Sequence, residues 1–429
     1  MKYQQINSTL FIKNRSNFKN LLTPQSVAIF HSNDEFPRSG DQNFLFKQNS
    51  DLFYLTGIDQ EQSILLIFPD CPNPLYKEVL FLRQTNDYIK VWEGHKYTKA
   101  QAKEVSGIEN IYWLEDFDNI LHGIIHYCEY IFLNTNENDR YAHTVPYRDL
   151  RFINELRNKY PLHKYERVAP LMRQLRAIKS EIEVSLTQKA CDITKDAFNR
   201  LLKFVKPGVM EYEIEAEIIH EFIKQAATGH GYNPIIASGN NANILHYTDN
   251  NQKCKDGDLI LLDFGAEYAN YNADMTRTIP VNGRFTPRQK EVYNSVLHVM
   301  NESKKLMVAG AIWNTYHEQV GEIMTEQLIK LKLISSTDVK NQSESYPAYK
   351  KYFMHGTTHH LGIDVHDFAG RYTPFAEGNI LTCEPGIYIP EEGFAVRLEN
   401  DILITKDGNY DLMGHIPITT EEIEEIMNA

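Results

Sequence analysis

The chain has 429 residues, which at roughly 150 residues per domain predicts two or three domains. Its composition, with 42% hydrophobic and 24% charged residues, is ordinary for a soluble globular protein. The formal net charge of −13 argues against a nucleic-acid partner or an anionic-membrane partner, because both attract basic surfaces.

No run approaches the roughly 18 apolar residues of a transmembrane helix, and residues 1–20 lack the apolar core of a signal peptide. The cysteines are scattered and form no CxxC pair, which excludes a zinc site of the usual cysteine spacing. They are Cys71, Cys128, Cys191, Cys254 and Cys383. An odd number of scattered thiols is typical of a reducing compartment, so we expect a cytoplasmic location.

The first third of the chain alternates short apolar runs with polar turns. The runs at 63–68 and 78–82 predict strands, and the patterns at 99–105 and 114–126 predict helices. We therefore expect a small α/β domain with a mixed sheet. The segment 159–170 contains two prolines and several charges, so we predict that the chain crosses between domains there.

The rest of the chain groups long amphipathic helices apart from strand-like runs. A capping box formed by Ser180 and Glu183 predicts the start of one helix, and further helices are predicted around Ile214 and after Thr286. Strands are predicted at 259–264, 275–281, 380–389 and 395–404. Helices separated from antiparallel strands indicate an α+β fold class.

Four acidic residues lie inside or beside the runs predicted as strands. They are Asp263 in LILLDFG, Asp274 in NADMTRTI, Glu384 in LTCEPGIYI and Glu399 in VRLENDILI. An isolated buried carboxylate costs several kcal/mol or takes up a proton, so four of them require a common explanation.

The spacing of these acids predicts two hairpins. Asp263 and Asp274 are separated by a turn-like segment, which should bring them roughly opposite each other at about 5 Å. Glu384 and Glu399 flank a second turn signal at 390–393. Two facing carboxylates repel unless a cation lies between them, so two such hairpins could hold two divalent cations.

A histidine cluster supplies a further candidate ligand. The segment HGTTHHLGIDVHD contains His355, His359, His360 and His366. Neighbouring glycines allow the backbone to approach closely, and we expect at least one of these imidazoles to bind metal. His360 is the expected bystander.

Carboxylates with one imidazole form a hard, oxygen-rich donor set, which suits Mn²⁺ best and also accepts Co²⁺, Fe²⁺ or Zn²⁺. Two ions about 3.5–4 Å apart can share a hydroxide and polarise a carbonyl, which is amide-hydrolysis chemistry. No serine-hydrolase elbow, HExxH motif or P-loop is present.

At these residues the sequence resembles the pita-bread metallopeptidases, which include aminopeptidase P, prolidase and methionine aminopeptidase. The motifs ILHYT, LLDFGAEYANYNADMTRT, MHGTTHHLGIDVHD, LTCEPGIYI and VRLEND occur in the family's order. The N-terminal FKQNSDLFYLTGI resembles aminopeptidase P in particular. The resemblance implies an α/β N-terminal domain at 1–172 and a pita-bread catalytic domain at 173–429.

The resemblance also implies a ligand set and a reaction. In the family's pattern two metals are held by Asp263, Asp274, His359, Glu384 and Glu399. Asp274 and Glu399 bridge both ions, Asp263 chelates one, and His359 with Glu384 holds the other. A hydroxide shared by the metals is the nucleophile and Glu384 the general base, releasing the first residue from peptides with proline in second place.

Four other residues match substrate-handling positions of the family. His246 is expected near the scissile amide, and His366 is expected to hydrogen-bond the developing oxyanion. His355 is expected to line the proline side of the substrate pocket. Arg397 is expected to pair with a ligand carboxylate or with Tyr388 beside the substrate site.

Several alternatives stay open on the sequence. Prolidase, which cuts only dipeptides, is the main rival. A non-enzymatic pita-bread scaffold that binds a partner protein is a weaker alternative, as is hydrolysis of another amide or of a phosphoester. Relatives commonly form dimers or tetramers through the first domain. Trp92 matches a tryptophan that reaches a partner's active site in relatives, but His95 and Lys96 follow where relatives carry arginines. Local packing of Trp92 is the competing interpretation.

Overall fold

The structure is a computed structural model that describes residues 2–138, 140, 144–343, 345–367, 369–370 and 372–429. The chain divides into two compact units, one comprising Tyr3–Leu175 and the other Arg176–Ala429. Each unit has its own sheets.

The first unit is built on a sheet with helices packed against it. Its helices are α1 (Thr9–Leu21), α2 (Ser50–Thr56), α3 (Asp87–Glu93), α4 (Lys99–Ser106), α5 (Phe117–Ile124), α6 (Arg148–Lys159) and α7 (Ala169–Ala177). Its strands are β1 (Ser26–His31), β2 (Pro37–Ser39), β3 (Gln42–Asn43), β4 (Ser63–Ile67), β5 (Glu78–Leu82), β6 (Asn110–Trp113), β7 (Tyr130–Leu133) and β8 (Lys164–Arg167). Helix α7 contains both the division between the units and the predicted boundary at 172/173.

Six of these strands form one sheet in the order β6-β5-β4-β1-β7-β8. Strand β1 pairs antiparallel with β4 and parallel with β7, which confirms the predicted mixed sheet. The central strands read as continuous apolar runs, SVAIFH and SILLI, because both of their faces are covered. One face packs Ile29, Leu66 and Phe81 against Phe117 and Leu121 of α5.

The prediction that the chain passes between the two domains at 159–170 was wrong. This segment contains β8, which pairs in parallel with β7 as the edge strand of the first sheet. Its residues Lys164, Glu166 and Arg167 are exposed. Edge strands are often rich in charged residues. The sequence of β8 therefore has the same composition as a linker, which explains the wrong prediction.

The second unit contains six further helices, which are α8 (Glu181–Phe204), α9 (Glu211–Lys224), α10 (Pro287–Leu306), α11 (Trp313–Lys330), α12 (Ser336–Lys340) and α13 (Thr420–Met427). The predicted capping box of α8 is present, since Ser180 Oγ accepts from Glu183 N and the Glu183 carboxylate accepts from Ser180 N. Thr286 and Gln289 cap α10 in the same way. No helix in the described part of the chain is long and apolar enough to cross a membrane.

The strands of the second unit form small antiparallel sheets. They are β9 (Gly229–His230), β10 (Ile235–Ser238), β11 (Leu259–Asp263), β12 (Ala266–Tyr268), β13 (Tyr271–Asn272), β14 (Thr276–Pro280), β15 (Ile380–Cys383), β16 (Gly386–Ile389), β17 (Phe394–Arg397), β18 (Asn400–Thr405) and β19 (Gly408–Asp411). The sheet orders are β10-β11-β14, β13-β12-β9, β15-β18-β19 and β16-β17. The predicted α+β class is confirmed, with a smaller unit built on a mixed sheet preceding the second unit in the chain.

The predicted continuous strands at 380–389 and 395–404 are each interrupted. The first breaks between Cys383 and Gly386, and the second breaks between Arg397 and Asn400. Pro385 has no N–H to donate to a ladder, which accounts for the first break. Both breaks coincide with a candidate ligand, so these two acids leave the regular sheet.

Candidate metal centre

The first carboxylate hairpin runs from β11 to β14. Asp263 lies opposite Thr276, so Asp274 is two residues before the facing position rather than directly opposite Asp263. The chain reverses between β12 and β13 at Ala269 and Asn270, whose φ angles of 52° and 66° are left-handed. The predicted hairpin is therefore confirmed, with the two acids in a diagonal relation.

Gly265 allows the two arms of this hairpin to approach each other closely. A Cβ atom on Gly265 would lie 1.7 Å from the carbonyl oxygen of Ala273. That separation is far below van der Waals contact, so only glycine fits without moving the backbone that carries Asp274.

The second carboxylate hairpin keeps one register across its two breaks. Gly386 lies opposite Arg397, and Cys383 lies opposite Asn400, so Glu384 and Glu399 fall in the gap between matched pairs. Leu398 N donates to Pro385 O at 3.2 Å and holds the gap together. The predicted second hairpin is confirmed.

The two hairpins meet at Thr276 and Glu399. Glu399 N donates to Thr276 O at 3.1 Å, and Thr276 Oγ1 donates to Glu399 Oε2 at 2.6 Å. Arg277 is fully buried and donates from Nη1 to the carbonyl oxygens of Thr276 and Glu399, at 2.9 and 2.8 Å. These contacts fix the carboxylate of one hairpin beside the acids of the other.

His359 completes a group that could hold a metal ion. Its Nδ1 lies 3.0 Å from the carbonyl oxygen of His360 and donates there, and its Nε2 faces the acids. His359 Nε2 lies 3.4 Å from Asp274 Oδ2 and 3.8 Å from Glu384 Oε1. Ligand atoms of Asp274, His359 and Glu399 all lie within 4.8 Å of one another.

Tyr232 links the remaining acid to this group. Its hydroxyl lies 2.7 Å from Asp263 Oδ1 and 2.6 Å from Asp274 Oδ1. The single hydroxyl proton can satisfy one of these oxygens at a time. The structure thus brings all five predicted ligands into one cluster, and no local pattern in the sequence pointed to Tyr232.

Burial and like charge together raise the pKa values of Glu384 and Glu399. Burial, and then the charges of Asp274 and Glu384, hold the pKa of Glu399 well above its usual range. Burial raises the pKa of Glu384 to about 7, against the opposing effect of His359. Such a set of oxygens with one imidazole nitrogen fits a hard divalent cation, which would compensate the buried negative charge.

A hydrogen-bonded chain of side chains borders the cluster. Arg397 donates to Asp263 Oδ2 at 2.5 Å, to Tyr388 Oη at 2.8 Å and to Thr276 Oγ1 at 3.1 Å. The expected pairing of Arg397 with a candidate ligand and with Tyr388 is therefore present. The Tyr388 hydroxyl in turn lies 2.7 Å from His355 Nε2.

Its hydrogen bonds and its burial favour the neutral form of His355. Its Nδ1 lies 2.7 Å from Gly356 O and must donate there, so Nε2 accepts the Tyr388 proton. Burial, and then the charge of Arg397, lower the pKa of His355 to about 3. Its ring nitrogen Nδ1 also lies 3.7 Å from Glu384 Oε2, which places His355 at the edge of the acid cluster.

His366 and His246 have exposed side chains. The His366 ring lies edge-on to the ring of His359, with centroids 4.5 Å apart. His246 follows a 3₁₀ turn at Gly239–Asn243, and its charge contributes to lowering the pKa of His355. Both histidines therefore lie beside the cluster rather than within it.

Ion pairs to Arg176 and Lys179 hold the loop that carries His366. Arg176 Nη2 donates to Asp364 Oδ2 at 2.6 Å and to Asp367 Oδ1 at 2.5 Å. Lys179 Nζ donates to Asp367 Oδ2 at 2.9 Å. Our sequence analysis did not identify these contacts, because their partners lie far apart in the chain.

Two other predicted positions lie apart from the acids. The His360 ring stacks on Trp313 at 6.0 Å between centroids, with an interplanar angle of 11°. Only its backbone carbonyl serves the site, by accepting from His359 Nδ1. Trp92 lies on α3 of the first unit with 74% of its surface exposed.

Comparisons with known proteins agree with this arrangement. Residues 185–406 match metallopeptidase family M24, and residues 11–132 match the aminopeptidase P N-terminal domain. The chain is 33% identical to the Xaa-Pro aminopeptidase of Haemophilus influenzae, covering 95% of this chain and 94% of the relative. It is 32% identical to that of Escherichia coli, covering 99% of each.

Solved structures give the same result. An aminopeptidase PepP of Pseudomonas aeruginosa has a TM-score of 0.89 and 31% identity, covering 99% of this chain and 98% of that one. Zinc-substituted aminopeptidase P of Escherichia coli in complex with product has a TM-score of 0.87 and 30% identity, covering 99% of both chains.

Proposed function

This chain belongs to metallopeptidase family M24 as an aminopeptidase P, and we propose that it releases the first residue of peptides with proline in second place. The convergence of Asp263, Asp274, His359, Glu384 and Glu399 in one buried cluster carries this proposal. Two curated relatives that match nearly the whole chain are named for this activity.

We assign two divalent metal ions, with Mn²⁺ as the expected species, to this cluster. By the resemblance to the family, Asp274 and Glu399 would each contribute to holding both ions, and both lie with His359 in the group able to hold a metal. Asp263 would bind one ion, and His359 with Glu384 would bind the other. When bound, two such ions supply a nucleophilic water that ionises near neutral pH and polarise the scissile carbonyl.

Protein side chains then handle the protons and the substrate. Glu384 takes the proton of the attacking water, a role supported by the position of its carboxylate in the cluster, 3.8 Å from His359 Nε2. The exposed His366 donates a hydrogen bond to the carbonyl oxygen as negative charge develops. His246 lies near the departing nitrogen.

The proline preference follows from the chemistry of the X–Pro bond. Its amide is tertiary and has no N–H, and the ring fixes φ near −65°. His355 and Arg397 line the side of the site that would receive the ring, and their hydrogen bonds through Tyr388 hold them in place. A pocket shaped for this ring rejects other second residues by poor fit rather than by charge.

The test is a peptide panel assayed with Mn²⁺. We expect release of the first residue from Xaa-Pro-Xaa peptides and little release when alanine replaces proline. Cleavage of Xaa-Pro dipeptides alone would assign the chain to dipeptide hydrolysis, as in prolidase. Glu384→Gln should abolish the activity, whereas Glu392→Gln, an exposed acid of the same hairpin bound to Arg288, should retain it.

We also propose a cytoplasmic location and a homodimer or homotetramer. All five cysteines are buried and unpaired, which suits a reducing compartment. On α3 the exposed side chains of Tyr88, Val91 and Trp92 offer an apolar surface for a second copy. Light scattering of the purified chain decides the oligomeric state.

A further inference from the structure

Glu211 is a fully buried acid outside the candidate metal cluster. It is the first residue of α9, where the helix dipole favours a negative charge. Its carboxylate lies against the loop between β10 and β11, which carries His246. The proposed mechanism gives Glu211 no role.

Five donors surround this carboxylate, and all of them are neutral. Oε1 accepts from Ser238 N and Ser238 Oγ, both at 2.8 Å, and from Asn241 Nδ2 at 3.3 Å. Oε2 accepts from Tyr247 Oη at 2.7 Å and from Gln252 N at 2.9 Å. A buried anion is tolerated when hydrogen bonds of this kind replace its water shell.

The donors span both sides of the loop that carries His246. Ser238 and Asn241 precede His246, whereas Tyr247 and Gln252 follow it. Glu211 N also donates to Gln252 O at 2.9 Å, which closes the end of the loop. One carboxylate therefore fixes the start, the middle and the end of this segment.

Tyr247 connects the Glu211 carboxylate to the candidate metal centre. Its ring packs in a buried cluster with Leu261, Ala395 and Tyr388, and Tyr388 contacts His355 and Arg397. His246 precedes Tyr247 in the chain and has an exposed side chain, so its own packing fixes it weakly. The position of the His246 imidazole depends on its anchored neighbour.

We propose that Glu211 is the positioning residue for His246 in the peptidase reaction, an inference that rests on the substrate-handling role proposed for His246. A carboxylate is required, because each of its oxygens accepts a backbone N–H, from Ser238 and from Gln252. A glutamine has one acceptor oxygen, so either orientation of its amide leaves one of these N–H groups facing an NH₂ group.

A double-mutant cycle tests this proposal on the full chain with Mn²⁺ and an Xaa-Pro-Xaa peptide. We expect Glu211→Gln to lower kcat/KM about tenfold, mainly through kcat, because His246 acts near the scissile amide. In a His246→Ala background the same change should lower kcat/KM less than about twofold. Mn²⁺ affinity measured by calorimetry should stay within about twofold, because the metal cluster is left intact.

Glu183→Gln is the matched control. Glu183 is a buried acid in the first turn of α8 that accepts from Ser180 N at 2.9 Å and from Tyr271 Oη at 3.1 Å. Its replacement should lower thermal stability and show no coupling to His246→Ala. If Glu211→Gln does not fold, Tyr247→Phe removes one donor to the same carboxylate and should show the same coupling on a smaller scale.

Two outcomes would overturn the proposal in distinguishable ways. If His246→Ala lowers kcat/KM but its effect adds to that of Glu211→Gln and of Tyr247→Phe, Glu211 supports the fold alone and the proposed function stands. If His246→Ala leaves kcat/KM unchanged, the role of His246 in the proposed function fails and the positioning role fails with it.

Discussion

Glu211 and the acids around Asp274 are both buried in the second unit, but they differ in what surrounds the negative charge. Five neutral donors converge on the Glu211 carboxylate. Around Asp274 the neighbours are mostly further carboxylates, and like charges contribute to the raised pKa of Glu399. The first site is complete within the protein, whereas the second requires a cation.

The comparison teaches how to separate a structural acid from a ligand. Burial alone does not distinguish them, since Glu211 is 0% exposed and Glu399 is 2% exposed. The donors within reach do distinguish them, because a carboxylate with enough N–H and O–H partners gains little from a metal. Removing charge should therefore have opposite effects on stability at the two sites.

The largest expected effect is on catalysis. Asp274→Ala should lower kcat by about 10³-fold or more, because a bridging ligand contributes to holding both ions, which are worth several kcal/mol of transition-state stabilisation. The metal-free variant should melt at the same temperature as the metal-free wild type or above it, since a like charge is removed. Glu211→Gln should instead lose about 1–3 kcal/mol of stability.

Calorimetric melting of both variants checks this contrast. A marked fall in the melting temperature of metal-free Asp274→Ala would contradict the predicted contrast, because Asp274 would then stabilise the fold directly. Full activity in this variant would contradict the bridging role.

The second prediction concerns metal withdrawal. Mn²⁺ at about a hundredfold excess over its Kd should stabilise the wild type by about 2.7 kcal/mol through binding to the native state. Chelation should remove both this gain and the activity, and renewed Mn²⁺ should restore them. Asp274→Ala should show little of the shift, whereas Glu211→Gln should show all of it. Equal shifts in the two variants would argue for a metal site elsewhere.

The smallest effect is expected beside the cluster. Arg397→Lys should lower metal affinity or kcat/KM by about 10–100-fold, the usual range for a residue that orients a ligand. Lysine keeps the charge but cannot bind Asp263, Tyr388 and Thr276 from one planar fork. Titration calorimetry measures the metal affinity, and steady-state kinetics measure kcat/KM. Wild-type values of both would show that a positive charge at position 397 is enough, without the planar geometry of arginine.

The sequence predicted the features that depend on local spacing. Capping boxes and the two hairpins follow from short-range patterns, and the hairpin registers confirm the predicted pairing of arms. The set of five converging side chains was implied by the resemblance to the family. The polar residues Thr276 and Arg277 within an apolar run carried a signal that we did not use. The catalytic and substrate-binding roles of the named residues stay predictions.

Features that depend on contacts between residues far apart in the chain could not be predicted from the sequence. Tyr232 reaches two acids that lie 31 and 42 residues away. The role of Glu211 depends on donors at four positions from Ser238 to Gln252. An acid in the first turn of a helix is common, so its full burial is visible only once the fold is known.

The absence of a side chain at Gly265 has a consequence for protein engineering. Scans for inactive variants target acids and imidazoles, yet a methyl group at Gly265 would collide with Ala273 O and push aside the backbone next to Asp274. A transplant of this centre into another scaffold must therefore copy an empty space as well as five functional groups. Without that space, the donor atoms would be present in the new protein but held too far apart to share a metal.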